Sequence, residues 1–285
     1  LGMLFLILVL IPNLGKSGGG ARRWINLGSL SFQPSEFMKV AMLFYLSRTL
    51  ANKKEHIKLF FDGYLPCLII LSIIFFLIMM QPDLGSVVVL GATAFILFFV
   101  AGVPLRFLLP TFLVALSLGI LAIYTVSFRR TRVMAHFNPW HDPMGSGFQM
   151  VQSFLALGQG GLFGLGLGEG KQKLFYLPAP HNDFIFAVIG EELGFIGTSV
   201  VLLLFAILIC KGLRIAFRCT DFFGCYLSFG LTLSLALQVI INVGVVTGLL
   251  PTKGLPLPFI SHGGSSLIAN MVSIGILLKI SDEAT

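Results

Sequence analysis

Long apolar runs separated by short polar segments recur along the whole chain. The full runs have the roughly 17–25 residues that a helix needs to cross about 30 Å of hydrocarbon. Four glycines interrupt the runs, which is typical of close packing between membrane helices: Gly91, Gly194, Gly230 and Gly244. The first run is short and resembles the outer half of a longer span. Together the runs predict eight helices: Gly2–Ile11, Ser35–Leu50, Gly63–Met80, Gly85–Gly102, Pro104–Val126, Phe184–Cys210, Tyr226–Leu250 and Gly263–Ile280.

Composition agrees with this pattern. Of the 285 residues, 56% are hydrophobic and 11% are charged, whereas soluble domains average about 25% charged residues. Too few polar side chains are present to cover the surface of a soluble domain. The composition therefore excludes a soluble globule, a disordered tail and a nucleic-acid-binding module. It predicts an all-α, polytopic transmembrane helix bundle that forms a single domain over residues 1–285.

The polar segments fall alternately on two sides of the predicted membrane. One side holds Asn52–Asp62 and Lys211–Phe223, and the other holds Pro12–Pro34, Ser127–Asp183 and Pro251–His262. Lys and Arg are equally frequent on both sides, so the positive-inside rule does not orient the chain. The net charge of +7 indicates an anionic lipid or an anionic substrate. Ser127–Asp183 is longer than a connection requires, and we predict a large, functional loop there.

Asp183 stands at the entrance of the sixth predicted helix. It ends the stretch Leu177–Asp183, in which two prolines stiffen the approach and His181 comes just before the acid. Two interpretations stay open. Asp183 caps the helix, or its partly desolvated carboxylate has the raised pKa that a general base needs.

Other acids at helix entrances have a simpler interpretation. Ser35 is expected to cap the second helix, with Glu36 stabilising its positive end. Asp83 lies in a turn and is expected to cap the fourth helix. Glu191 and Glu192 lie inside the sixth helix, where a structural pair with a base is the favoured interpretation.

Basic side chains cluster near the same predicted face. Arg22 and Arg23 precede Trp24, and a second arginine cluster lies in the long polar segment. Arginine forks match phosphate oxygens well, but an arginine beside a tryptophan also fits simple anchoring at the membrane interface. The residues favour a one-sided polar cavity for an anionic lipid headgroup. The second cluster consists of Arg129, Arg130 and Arg132.

Ordered motifs along almost the entire chain resemble the SEDS family (shape, elongation, division, sporulation), which includes FtsW, RodA and SpoVE, and within it the FtsW type. Members have ten helices with both termini in the cytoplasm. The resemblance implies that this chain corresponds to helices three to ten, that two helices are missing at its N-terminus, and that the long segment lies outside. The motifs are Gly20–Ile25, Gln33–Lys39, Gln81–Gly85, Asp142–Gln149, Gly161–Gly164, Lys173–Pro178, Asp183–Gly194, Leu250–Gly254 and Pro258–Ser266.

The resemblance implies a peptidoglycan glycosyltransferase of the inner membrane. It would polymerise lipid II, a disaccharide peptide on undecaprenyl diphosphate, during septal wall synthesis at cell division. Asp183 matches the essential acid of the family, and Mg²⁺ or Mn²⁺ is a possible cofactor. The implied partners are a class B penicillin-binding transpeptidase, other division proteins and membrane lipid. The candidate substrate-binding residues are Arg22, Arg23, Glu36, Lys39, Arg129, Arg130, Arg132, His181 and Lys253, of which Arg22, Arg23 and Lys39 rank first for neutralising the diphosphate.

Two departures from the family pattern stand near these motifs. Ala179 replaces an acid of the family, and His262 stands where a tyrosine is usual. Neither changes Asp183. Two rival functions stay open: a flippase that moves lipid II across the membrane without needing Asp183, and a scaffold that performs no chemistry.

Overall fold

The computed structural model describes residues 2–11, 15–18, 21–27, 30–53, 56–170 and 182–283, with only the backbone described at residues 15–18, 21–22, 26–27 and 30–31. Helices dominate this part of the chain. They are α1 (Gly2–Leu8), α2 (Pro34–Asn52), α3 (Leu65–Met79), α4 (Leu84–Val100), α5 (Leu105–Tyr124), α6 (Ser127–Phe137), α7 (Phe148–Gly160), α8 (Ile185–Arg218), α9 (Phe222–Val246) and α10 (Gly264–Glu283). Single turns occupy His56–Lys58 and Pro139–His141, and a π-helical segment, Phe60–Tyr64, leads into α3.

All eight predicted helices are present. The end of the sixth was wrong, since α8 continues to Arg218, eight residues beyond the predicted Cys210 and into the predicted polar segment; the other ends differ by at most four residues. Within the described ranges, five helical segments are long and apolar enough to cross a membrane, and α4 is a shorter apolar helix. The chain is therefore a multi-pass helical membrane protein, as predicted. The five segments are Phe60–Met79, Leu105–Tyr124, Ile185–Arg218, Phe222–Val246 and Gly264–Glu283.

The segment predicted as one large loop contains two helices, α6 and α7. These two helices were not predicted, because neither contains an apolar run long enough to span a membrane. α6 carries three arginines and has no buried residue, and α7 has only 13 residues. Short helices of this kind leave no long apolar run in the sequence.

A small antiparallel sheet was also missed. Its strands are β1 (Gly15–Gly18), β2 (Ala21–Leu27) and β3 (Leu30–Phe32), in the order β1-β2-β3. The register between β1 and β2 shifts at Lys16/Ser17. Strands of three to seven residues, rich in glycine and arginine, lack the alternating apolar pattern by which a strand is recognised.

The packing divides the chain into two compact units. Unit 1 comprises Leu1–Phe112, Ile209–Leu235 and Gly264–Thr285, and unit 2 comprises Leu113–Leu208 and Ala236–Gly263. The prediction of a single domain stays a prediction.

The core of unit 1 combines aliphatic and aromatic side chains. Tyr64 is 1% exposed, packs edge-on against Phe98 and donates its hydroxyl to Thr111 over 2.9 Å. Gly230 allows a close helix approach, since a Cβ there would lie 2.9 Å from a methyl group of Leu43. The close packing predicted for this glycine is confirmed.

Unit 2 contains a break in α8. Gly194 has φ 67° and ψ −165°, so the backbone leaves helical geometry in mid-helix. The sequence prediction that Gly194 serves helix packing was incomplete, because it also ends one helical segment and starts another. Segment 161–166 satisfies four of the released backbone groups through bonds from Leu165 N to Glu191 O, Gly166 N to Glu192 O, Phe195 N to Gly161 O and Ile196 N to Leu162 O, at 2.9–3.2 Å. This pairing makes irregular backbone tolerable within a membrane protein.

Candidate functional site

Asp183 lies just before α8, in a turn, with a partly exposed side chain. The carbonyl of Phe184 accepts helical hydrogen bonds from Ala187 (2.9 Å) and Val188 (3.4 Å). Because the N-cap residue is the one whose carbonyl starts the helical bonding, Phe184 occupies that position. Asp183 stands one residue before this position.

Two side chains tie the backbone at Asp183 to the segment Pro251–Gly263. The Asn242 amide, on α9, donates to the carbonyl of Asp183 over 2.9 Å and to that of Leu255 over 2.7 Å. The Ser261 hydroxyl donates to the carbonyl of Asn182 and accepts from the backbone N–H of Leu257. The acid therefore has a defined backbone position although it lies outside the helix.

The Asp183 carboxylate lies against a glycine. A Cβ added at Gly254 would be 3.0 Å from Asp183 Oδ2, so any side chain there would crowd the acid. The preceding residue, Lys253, is partly buried, and desolvation lowers the pKa of its ammonium group from the ordinary 10.5. An anion beside this lysine would favour its charged form. Within unit 2, a carboxylate and the backbone of a basic residue thus lie close together.

Unit 1 contains a second acid near a helix entrance, in the first turn of α2. Glu36 Oε2 lies 2.8 Å from Lys39 Nζ, and both side chains are almost completely buried. Gln33 occupies the N-cap without a side-chain capping bond. Ser35 is inside the helix, so the prediction that it caps α2 was wrong. Glu36 does lie in the positive first turn, as predicted.

The capping role predicted for Asp83 is confirmed. Its side chain accepts hydrogen bonds from the backbone N–H of Ser86 (3.2 Å) and from the Ser86 hydroxyl (2.7 Å) at the start of α4. In the turn before it, the carbonyls of Gln81 and Pro82 accept hydrogen bonds from the Arg23 guanidinium. Arg23 thus joins β2 to this turn.

The arginine cluster of the long segment lies on α6. Arg129 donates to the carbonyl of Ala122 over 3.0 Å, and the Arg132 guanidinium stacks 4.3 Å from the ring centre of Phe128. Arg130 is exposed. These contacts hold two of the three arginines by local interactions.

Some predicted residues lie outside the part that the structure describes. They are His181, Ala179 and the side chain of Arg22. Over the described residues, no group of three or more His, Cys, Asp or Glu side chains is arranged to hold a metal ion. Among the described residues, no metal site built from protein ligands alone can therefore be assigned.

Asn242 was missed by the sequence reasoning, although a signal was present. It is an amide within the membrane-spanning helix α9 and is 1% exposed, and Gln238, one turn earlier, is a second buried amide at 2%. Polar groups at such depth are expensive and often functional. No pattern in the sequence shows that this amide reaches two loops 59 and 13 residues away.

Comparison with known proteins gives one family over the full chain. The family model described as a cell cycle protein, covering FtsW, RodA and SpoVE, matches residues 1–285. A relative named probable peptidoglycan glycosyltransferase FtsW, from Geobacter sulfurreducens, is 47% identical over 99% of this chain and 76% of its own length. Stage V sporulation protein E of Bacillus subtilis is also 47% identical, over 97% of this chain and 75% of its own length.

Comparison with solved structures leads to the same family. A chain from a peptidoglycan synthase complex, described as coordinating polymerization and crosslinking, has a TM-score of 0.81 at 31% identity and covers 99% of this chain and 79% of its own. The rod shape determining protein RodA of Thermus thermophilus has a TM-score of 0.72 at 30% identity, with 99% and 76% covered. At these identities the likeness extends beyond fold to sequence.

Proposed function

Because this chain belongs to the FtsW/RodA/SpoVE family of cell cycle proteins, we infer that it is a peptidoglycan glycosyltransferase. It is a multi-pass membrane enzyme that polymerises lipid II into glycan strands for the division septum. The relatives named as glycosyltransferases match almost the whole chain. We further propose that the reaction occurs at the outer face of the inner membrane and that Asp183 is its general base.

The proposed step forms one glycosidic bond. Asp183 accepts the proton of the 4-hydroxyl of one lipid-linked disaccharide while that oxygen attacks the anomeric carbon of the other. The bond from the anomeric carbon to the diphosphate oxygen breaks, and its electron pair leaves with undecaprenyl diphosphate. Attack opposite the leaving group inverts the anomeric centre. One base and a neutralised diphosphate are sufficient for this chemistry.

The placement of Asp183 is the observation that supports the assignment. Its side chain is partly exposed, its carbonyl is bonded by a buried amide, and its carboxylate borders Gly254, where no side chain occupies the space. A base must be both accessible to a hydroxyl and held in place. Asp183 meets both requirements.

Charge on the leaving diphosphate requires cations. Lys253 has support within unit 2, since it directly precedes Gly254 and its partly buried ammonium gains from a nearby anion. Arg22, Arg23, Lys39 and the α6 arginines stay candidates. Lys39 is already paired with Glu36, which favours a structural role for it.

A divalent cation stays a proposal as well. Mg²⁺ is commonly held by substrate phosphates with one or two protein carboxylates, an arrangement that needs no ligand cluster of the protein alone. The proposed partner is a class B penicillin-binding transpeptidase, in line with the synthase complex among the structural relatives.

The test is polymerisation of purified lipid II by the enzyme together with its cognate transpeptidase. Asp183→Asn keeps the size of the side chain and removes the base. We expect glycan synthesis to fall about 10²–10⁴-fold, the usual contribution of acid–base catalysis. Asp62→Asn, at an exposed acid of unit 1, is the matched control and retains full activity.

Unchanged synthesis by Asp183→Asn would overturn the general-base assignment. Transfer of lipid II across vesicle membranes by Asp183→Asn at the wild-type rate, with no polymerisation by the wild type and transpeptidase, would support the flippase instead. Normal division of cells that carry only Asp183→Asn would support the scaffold.

A further inference from the structure

Asn242 occupies an unusual position in unit 2. It lies within the membrane-spanning helix α9 and is 1% exposed, yet neither backbone group to which it donates a hydrogen bond belongs to its own helix. One contact is the carbonyl of Asp183 and the other is the carbonyl of Leu255, at 2.9 and 2.7 Å. An amide nitrogen carries two hydrogens, and both are used.

These two bonds fix two chain segments relative to one rigid helix. Asp183 belongs to the turn before α8, and Leu255 follows Lys253 and Gly254 in the next polar segment. Gly254 is the residue against which the Asp183 carboxylate lies. Together with Ser261, which joins Asn182 to Leu257, Asn242 therefore sets the separation between the Asp183 turn and the segment that borders its carboxylate.

We propose that Asn242 is a positioning residue, which holds the Asp183 carboxylate in register with the Lys253–Leu255 segment by binding both backbones with a single amide. The proposal rests on the proposed role of Asp183 as the base. Catalysis is sensitive to such placement, since a misplacement of about 1 Å can reduce the rate about 10²-fold.

Asn242→Leu tests the proposal, because leucine has a similar size and no donor. We expect kcat for lipid II polymerisation, measured with the cognate transpeptidase, to fall about 10- to 100-fold, while KM changes less than threefold. Asn242→Gln retains both donors on a longer side chain and should recover part of kcat. If the leucine variant does not fold, kcat and KM are compared between the wild type and Asn242→Ser, which removes one donor.

The matched control is Ser153→Ala. The Ser153 hydroxyl is fully buried in the same unit and donates to the carbonyl of Val246 over 2.7 Å, one turn beyond Asn242 on α9. Its loss removes a buried hydrogen bond without touching Asp183 or Leu255. We expect wild-type kcat for this variant. A comparable fall in kcat with Ser153→Ala would assign the Asn242 effect to general destabilisation and overturn the proposal.

A double-mutant cycle with Asp183→Glu separates positioning from stability. Glutamate keeps a carboxylate but displaces it by one methylene. If Asn242 acts through the position of the acid, Asn242→Leu costs at least tenfold in the wild-type background and less than threefold in the Asp183→Glu background. Equal costs in both backgrounds, or wild-type kcat for Asn242→Leu, would overturn the proposal. Full activity of Asp183→Asn would instead overturn the proposed function, so the two failures are distinguishable.

Discussion

Two acids near helix entrances, Glu36 in unit 1 and Asp183 in unit 2, have opposite surroundings. Glu36 is 2% exposed and its carboxylate is paired with Lys39 at 2.8 Å inside the same helix. Asp183 is partly exposed, precedes its helix, and is located by bonds to its backbone. A carboxylate that is buried and paired with a buried lysine serves stability, whereas the Asp183 side chain is partly exposed, as a base that meets a substrate hydroxyl must be.

This contrast shows that position at a helix entrance does not identify function. From the sequence, both acids have the same favourable interaction with the helix dipole. The difference arises from what surrounds each carboxylate, which depends on residues both near and far along the chain. The predictions below test whether the two acids differ as their surroundings indicate.

The largest expected effect on stability is at Glu36. Glu36→Ala leaves the buried Lys39 ammonium without its partner, and we expect the free energy of unfolding to fall by about 3–5 kcal/mol. Asp183→Asn, at a partly exposed site, should change it by less than about 0.5 kcal/mol. Unfolding of the purified protein in mixed micelles with increasing SDS measures both.

The double variant Glu36→Gln/Lys39→Met is the control for this prediction. Replacing a buried ion pair by uncharged side chains of similar volume is often nearly neutral, so most of the lost stability should return. Equal stability losses for Glu36→Ala and Asp183→Asn would contradict the distinction between the two acids.

Gly254→Ala is expected to have the next largest effect. Its Cβ would lie 3.0 Å from Asp183 Oδ2, so the carboxylate must shift by a few tenths of an ångström or more. We expect kcat for polymerisation to fall about tenfold, or about 1.4 kcal/mol in the activation barrier, with little change in stability. Gly264→Ala, where a Cβ meets nothing within 4 Å, is the matched control, and equal activity of the two variants would count against a tightly packed carboxylate.

Asp83→Ala should cost less than the loss of Glu36. Asp83 caps α4 through two bonds to Ser86, and removal of an N-cap typically costs about 1 kcal/mol. The same unfolding assay measures it, and Asp83→Asn, which can still accept a hydrogen bond, should restore most of the loss. A cost as large as that of Glu36→Ala would show that Asp83 is more than a cap.

Local features of the site were predictable from the sequence, whereas non-local ones were not. The cap at Asp83 involves residues three apart, and a turn followed by an apolar run predicts it. The helices follow from runs of apolar residues. The bond from Asn242 to Asp183 joins residues 59 apart, and no pattern along the chain encodes that distance. The break at Gly194 was hidden for a similar reason, because its released backbone groups bond to segment 161–166.

The smallest expected effect concerns Lys253 and its pH dependence. Burial lowers the pKa of this lysine below 10.5 in the folded protein, so the unfolded chain binds the proton more tightly between the lowered pKa and 10.5. The free energy of unfolding of the wild type therefore rises as the pH increases from the lowered pKa of Lys253 to 10.5. Lys253→Met removes the buried charge and should be more stable than the wild type at neutral pH, with the difference narrowing as the pH approaches 10.5. SDS unfolding at a series of pH values measures this difference.

Lys279→Met, at a lysine whose side chain is 72% exposed, is the control for charge removal. A difference between wild type and Lys253→Met that does not vary with pH would show that the Lys253 ammonium is as well solvated in the folded protein as in the unfolded chain.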